Sequence, residues 1–417
     1  MTRLGDVCEK IGSGATPRGG KEAYKETGIP IIRSQNVHDW AFQSSGLAFL
    51  DDEQAKALAN GEVHSNDILL NITGDSVARA CEVPAEHIPA RVNQHVAIIR
   101  AGKEINPTYL LAFLQFKKAE LLNLASSGAT RNALTKKMIE NLDINLPSRK
   151  KQDSVATLLD SIQSKIAINA QLNDYLSSLC EAIAEKYCKD CNSTLRDICC
   201  QITDRVDYTA AKLGTYISTE SLIQGKRGRQ QASFLPTAGK VNKYKAGDTL
   251  ISNIRPYFKK IWYASFEGTC SNDILVFRAK NPHNAPYLHA CLRQDSFFDY
   301  VMQGAKGTKM PRGDKKQMMG FRVSDSCSSE DLLLLDSAIR QKSSNESETV
   351  EIQTLRDTLL PKLMSGEIDV SKVGLMQPAN NHLAKCKAAA LALSHIFSVA
   401  CWGCGFLCNK VRAVICS

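Results

Sequence analysis

Apolar residues recur along this chain in two rhythms. Short runs of branched side chains at 29–33, 68–72, 96–100, 250–254 and 274–277 are mostly bordered by Gly, Asp or Asn. Branched residues suit a pleated surface and the border residues supply turns, so these runs predict strands. Positions 107–125 and 286–302 instead space their apolar residues for short amphipathic helices. Two further segments carry the helical period much longer. From 149 to 186 no Pro or Gly interrupts, and Val155, Leu158, Ile162, Leu172, Leu176, Leu179 and Ile183 fall at heptad a and d positions. Asn169 takes an a position and Lys165 a d position. A continuous helix there would reach roughly 55 Å at about 1.5 Å per residue. The second segment runs from 330 to 364. Leu332, Leu335 and Ile339 open it, and Ile352, Leu355, Leu359 and Leu363 close it, around the polar middle "QKSSNESET". Pro361 is expected to kink or end it and Gly366 to stop it. Neither stripe can be buried by one helix alone, so the two are expected to pair antiparallel as a coiled coil.

The long segments are related. "LLDSIQSKIAIN" at 158 and "LLDSAIRQKSSN" at 334 share Leu-Asp-Ser and an Asn nine residues beyond the Asp, Asn169 and Asn345. The flanking sequence repeats as well. "LGDV", "IPIIRSQNV", "NDILLNITG", "VNQHVAIIR" and "SGATRNALT" in the first half are echoed by "LRDI", "TYISTESL", "GDTLISNIR", "CSNDILVFR" and "KGTKMPRGD" in the second. Asp67 and Asp248 each precede an apolar triplet, and Asn71 and Asn253 follow in similar places. Asn93 and Asn272 each precede a strand-like run ending in Arg100 or Arg278. The frame recurs while the loops diverge. The expected fold is α+β: two similar domains at 1–147 and 191–325, separated by long helices at 148–190 and 326–373, with an atypical Cys-rich apolar tail at 374–417.

Charge distinguishes the copies. The formal net charge is +9. Residues 1–147 hold 16 Lys and Arg against 17 Asp and Glu, whereas residues 226–316 hold 17 against 6. That basic stretch also carries Tyr244, Tyr257, Phe258 and Trp262, a mixture suited to a polyphosphate backbone with bases beside it. Met1-Thr-Arg-Leu-Gly-Asp runs directly into polar sequence with no secretory leader, so a cytoplasmic protein is expected. Among the 15 Cys, Cys8, Cys81, Cys270 and Cys291 sit singly among apolar neighbours and read as reduced core residues.

The chain resembles the DNA-specificity subunit of type I restriction–modification systems over about residues 1–373. "LPSRKKQDSVATLLDSIQSKIAINAQLNDYL" (146–176) is similar to that family's central conserved region, and "LRDTLLPKLMSGEIDV" (355–370) to its distal one. "GTKMPRGDKKQMM" (307–319) resembles a segment closing a target-recognition domain. The resemblance implies a non-catalytic subunit in which each target-recognition domain reads one half of a bipartite, asymmetric DNA site. It implies that the helices form spacer and docking surface for two methylation subunits, through which restriction/translocase subunits join. S-adenosylmethionine and ATP/Mg would then sit only on partner subunits, and this chain would need no cofactor. Arg can fork to guanine, Asn or Gln to adenine, and Lys mostly holds phosphate. Candidate DNA contacts are Arg18, Lys21, Tyr24, Arg33, Gln35, Asn36 and Arg131 in the first domain. In the second they are Lys226, Arg227, Arg229, Arg255, Tyr257, Lys259, Lys306, Lys309, Arg312 and Lys315.

A stand-alone DNA methyltransferase or nuclease is the alternative. "NIRPY" (253–257) lacks the double proline of a methyltransferase tetrad, and "GSGATPRGG" (12–20) has no clear strand-to-helix context. No carboxylate cluster with a nearby Lys suggests a metal nuclease. Cys188 and Cys191 form a zinc half-site, but adjacent Cys199 and Cys200 make a poor second half, one facing each way on a strand. In the tail, 388–408 is 21 residues without a formal charge, long enough to span a bilayer. Its Ser, His and Gly residues weaken that reading, and a dispensable extension with no membrane contact is expected.

Overall fold

The computed structural model of the protein describes residues 2–126, 132–188 and 191–370. The chain divides into two compact units, Met1–Ser164 with Thr354–Ser417, and Lys165–Gln353. Each unit therefore combines one globular domain with part of each long helix. The tail expectations fall on 374–417, outside the described residues.

In the first unit an antiparallel sheet runs in the order Cys8–Ser13, Val96–Ala101, Ile68–Asn71, Ala80–Glu82. Helices Pro107–Phe116 and Lys118–Ser126 fill the 107–125 prediction, and Leu110, Phe113, Leu114 and Leu121 bury against the sheet. In the second unit the same sheet reappears as Cys199–Ile202, Ile274–Ala279, Thr249–Ser252, Ile261–Tyr263. Helices Ala285–Leu292 and Asp295–Gln303 cover it. The likeness extends to single bonds. Tyr109 donates to the Asn145 carbonyl at 3.3 Å, and Tyr287 to the Ser324 carbonyl at 3.3 Å. Leu4 N–H reaches Leu142 O at 2.9 Å, and Leu195 N–H reaches Phe321 O at 3.0 Å.

The recurring Asp and Arg explain themselves as scaffold. Arg100 forks onto Asp67 at 2.7 and 2.8 Å, and Arg278 onto Asp248 at 2.7 and 2.6 Å. Both carboxylates are buried, and each also accepts a turn N–H at 2.7 Å, from His64 and Lys245. Leaving either Arg without its carboxylate would strand a charge at the sheet edge, so the pair recurs with the fold.

The second sheet shows where the copies part. Ile29–Ile32 lies parallel to Ala90–Val92, which lies antiparallel to Glu62–Val63. Tyr216–Ile217, Gly268–Cys270 and Lys240–Tyr244 repeat that trio. The fourth strand is then added at opposite edges: Ala48–Leu50 beside Ile29–Ile32, but Arg205–Asp207 beside Lys240–Tyr244. Strand pairing also corrects the sequence alignment of the copies by one residue. Ile72 N–H bonds His95 O and Asn253 N–H bonds Asp273 O, so His95 matches Asp273, and Asn93 matches Ser271 rather than Asn272. Likewise Asn71 matches Ser252, and Asn253 matches Ile72.

The central helix spans Arg149–Tyr187 and the distal helix Ser329–Ser365, ending at Gly366 with φ +79°. They pair antiparallel, but not through the expected apolar seam. Val155, Leu159 and Ile162 are buried at one end of the central helix, and Cys180, Ile183 and Ala184 at the other. Val155 and Leu159 join Leu360 and Leu363 in the first core; Cys180 and Ile183 join Leu335 and Ile339 in the second. The expected stripe residues Leu172 and Leu355 are exposed, and Leu158, Leu176 and Leu179 half-buried, because the ends face domain cores rather than a continuous seam. Between them the contact is polar. Asn169, almost fully buried, donates to Glu348 Oε2 at 2.9 Å and Thr349 Oγ1 at 3.3 Å. Asn345, equally buried, donates to Asn173 Oδ1 at 2.8 Å. Each repeated Asn thus reaches the residue four beyond the other, a local two-fold written twice in one chain. Pro361 does not end the distal helix: it falls in the last turns, where the one donor it lacks is a small loss.

Among the described residues no helix is long and apolar enough to cross a membrane.

Candidate nucleic-acid interface

In each unit one sheet edge is finished by the same device. The chain leaving the Ile68–Asn71 strand pairs with the segment before the Lys136–Glu140 helix: Thr73 bridges Ala133, and Gly74 N–H bonds Asn132 O at 3.1 Å. In the second unit Ile254 bridges Arg312, and Arg255 N–H bonds Pro311 O at 2.8 Å. Lys306 and Arg312 exchange two backbone bonds at 2.9 Å, so 307–311 projects as a hairpin tip. Gly313 roots it; a Cβ there would lie 2.7 Å from Val301 Cγ1 and 2.2 Å from Met318 Cε. The equivalent loop of the first domain, with Arg131, lies outside the described residues.

The sequence candidates separate into two groups on this frame. Asn36 is fully buried: it accepts from Arg33 N–H at 3.0 Å and donates to Gln43 O at 2.9 Å, so it builds its loop and presents no edge to a base. Arg33 stacks over the half-buried Tyr24 ring at 5.5 Å and donates to Gly46 O at 2.7 Å; Gln35 donates to the same carbonyl at 2.9 Å. Lys226 is held by Glu181 at 3.1 Å and Asp295 at 2.8 Å, and Lys259 by Asp295 at 2.8 Å. The Lys226 and Lys259 bonds hold the Asp295 carboxyl below the usual range. Arg229 lies over Phe266 at 4.6 Å and Trp262 at 5.3 Å, and burial lowers its pKa. Arg255 is half-buried in a left-handed turn with φ +50°. Arg33, Lys226, Lys259 and Arg229 thus each meet a carbonyl, carboxylate or ring of their own unit, where a cation is more favourable than one left alone.

The remainder are exposed: Arg18, Arg227, Tyr257, Lys306, Lys309, Arg312 and Lys315. Lys21 lies in the 3-10 turn Gly20–Ala23. Arg312 contacts Asp273 at 3.0 Å, and Lys306 approaches Asp314 at 3.7 Å. Asp314 is held below the usual range by the Gln317 and Lys316 N–H groups it caps. The structure adds residues that the sequence reading passed over. In the first domain His95 Nδ1 lies 2.7 Å from Thr73 Oγ1, and its Nε2 lies 3.1 Å from Gln94, which bonds Thr16. His95 and Asp273 hold one register, and both stood in the quoted repeats; aligning those on Asn93 and Asn272 concealed the match.

The Gly-rich 12–20 segment is strand and close packing: a Cβ on Gly14 would lie 1.8 Å from Val92 O. Cys199 is buried and Cys200 exposed, facing opposite ways as expected, and Cys191 Sγ turns to the Cys188 carbonyl at 3.0 Å. Among the described residues no group of three His, Cys, Asp or Glu is placed to hold a metal. Cys81, Cys270 and Cys291 are buried free thiols; Cys8 is half-buried, its pKa pushed up to about 12 by burial.

A duplicated α+β domain with paired long helices and a differently furnished rim in each copy defines the class of fold to which the chain belongs. Residues 1–178 match the family described as type I restriction modification DNA specificity domain. A putative type I restriction enzyme MjaX specificity subunit of Methanocaldococcus jannaschii is 24% identical over 178 residues, 41% of this chain and 41% of that one. The matched stretch thus spans about two fifths of that relative's length. The S subunit of a type I restriction–modification system from M. genitalium superposes over 87% of this chain and 95% of its own, with TM-score 0.50 and 14% identity, so both halves share its fold. The HsdS subunit from Thermoanaerobacter tengcongensis aligns over 88% and 96%, with TM-score 0.34 and 16% identity.

Proposed function

We propose that this chain is the DNA-reading subunit of a cytoplasmic type I restriction–modification complex, non-catalytic in itself. Each globular domain reads one half of a bipartite, asymmetric site in double-stranded DNA. The observation that carries this reading is the one frame built twice with different rims: in the first copy Thr73 bridges Ala133 and bonds His95, and in the second Ile254 bridges Arg312, which pairs with Asp273. Two identical modules would read a symmetric site; two divergent ones read an asymmetric site with unread base pairs between. The long helices supply the spacer and the surface for two methylation subunits, through which restriction subunits join. Exposed Leu172, Tyr175, Leu333 and Leu355 on these helices support a docking role. Methyl donor, ATP and Mg belong to the partners. Selection of bound duplexes from a random pool tests the reading: two short defined blocks with an unread gap are expected. One contiguous block, or no preference, would overturn it.

A further inference from the structure

An ion pair stands on the second rim where a phosphate contact would not benefit from one. Arg312 Nη2 lies 3.0 Å from Asp273 Oδ1, with the side chains 56% and 36% exposed. Both residues are fixed by their backbones. Arg312 is locked to Lys306 by two bonds and bridged to Ile254; Asp273 accepts from Asn253 N–H at 2.8 Å and closes the turn in which Ile274 N–H bonds Ser271 O. By contrast, Lys309 and Lys315 are exposed cations with no carboxylate pairing among the described contacts.

The two arrangements suit different work. A cation that neutralises phosphate acts through its net charge, and a neighbouring carboxylate cancels that charge and repels the backbone. A guanidinium that reads a base acts through its planar fork, and a carboxylate bonded to one side fixes the plane while the rest faces outward. The first copy holds the same register with His95 tied to Thr73 and Gln94, so this rim position carries different polar chemistry in each domain.

Resting on the DNA-reading function above, we propose that Arg312 reads a guanine in the second domain's half-site and that Asp273 is the positioning residue for it. Bidentate contact to O6 and N7 of guanine is the geometry an oriented Arg supplies and Lys cannot. Lys309 and Lys315 hold the flanking phosphates.

The test is random-duplex selection with the intact chain, followed by salt titration of binding to the selected site. The wild-type chain is expected to show one guanine in one half-site that Arg312→Ala and Arg312→Lys both stop selecting. Discrimination there should fall by about 5- to 150-fold, with the other positions retained. Asp273→Asn should weaken the same preference while leaving binding to unrelated DNA equal or tighter. Lys309→Ala with Lys315→Ala should instead lower affinity for all sequences and flatten the slope of log K against log salt by about 0.9 per lost contact. Arg312→Lys retaining the guanine, or Arg312→Ala lowering all positions evenly with a flatter slope, would overturn the proposal and make Arg312 a phosphate contact. A wild-type chain that selects no sequence would remove the DNA-reading function itself, and that result is read before any variant is compared.

Discussion

Lys342 of the distal helix sends its ammonium into a half-buried pocket, 2.6 Å from Ser177 Oγ and lined by Cys180, Trp262, His289, Arg293 and Glu346. Burial, then the nearby Arg293 charge, lowers its pKa to about 8, against partial support from Glu346 and Glu181. The ordinary lysine value is about 10.4. Below pH 8 folded and unfolded chains both hold the proton, so the cost of burying the charge is fully present. Between about 8 and 10.4 the folded chain has released it and the unfolded chain has not, so stability rises with pH across that window. Lys342→Met should remove the rise: the stability of wild type minus variant, from urea midpoints at several pH values, should climb from pH 8 to 10. A difference that stays flat would mean that Lys342 keeps its ordinary pKa. Burying a lysine here was not legible in the sequence, where "QKSSNESET" reads as a solvated polar face. What the pattern lacked was the set of residues brought to it from the second domain, Trp262, His289 and Arg293 above all. The same blindness hid the partners of Lys226 and Arg229, since composition reports how many cations a segment holds and not which carboxylate or ring each will meet.

At the scale of elements the helical period was legible to within a residue: 149–186 was expected and Arg149–Tyr187 is found. The pairing of the repeated Asn169 and Asn345 neighbourhoods was implicit in the repeat as well. The seam was not, because a heptad assigns faces without knowing that the helix ends belong to domain cores. A buried polar crossing between apolar ends is a register device: slipping the helices would leave Asn169 and Asn345 buried without partners. If the pair also sets the DNA span, inserting four residues into both helices near these Asn adds about 6 Å of helix and turns it about 400°, nearly a full circle. The apolar ends stay in phase, and the unread stretch should lengthen by one or two base pairs at about 3.4 Å each. Inserting two residues turns the ends about 200° and should break the pairing. Site mapping checks this; a four-residue variant that assembles yet keeps the original spacing would reduce the helices to a docking surface.

Over the whole molecule, one frame carries two electrostatic characters, near-neutral in 1–147 and strongly basic in 226–316. The scaffold pairs Arg100–Asp67 and Arg278–Asp248 are the same in both. The rim groups and the edge that receives the fourth strand are not. The frame could be read from the sequence because a core tolerates few solutions. The rims could not, because a loop's contacts depend on which neighbour the fold delivers, as the one-residue slip between Asn93 and Asn272 shows. The central claim is that each domain reads its own half-site. Its most direct test replaces residues 1–147 with the corresponding domain of a relative of different specificity and maps the duplexes that the intact hybrid chain selects. One half-site should change while the other half-site and the gap between them stay as in the parent. A hybrid in which both halves change, or neither does, would contradict it.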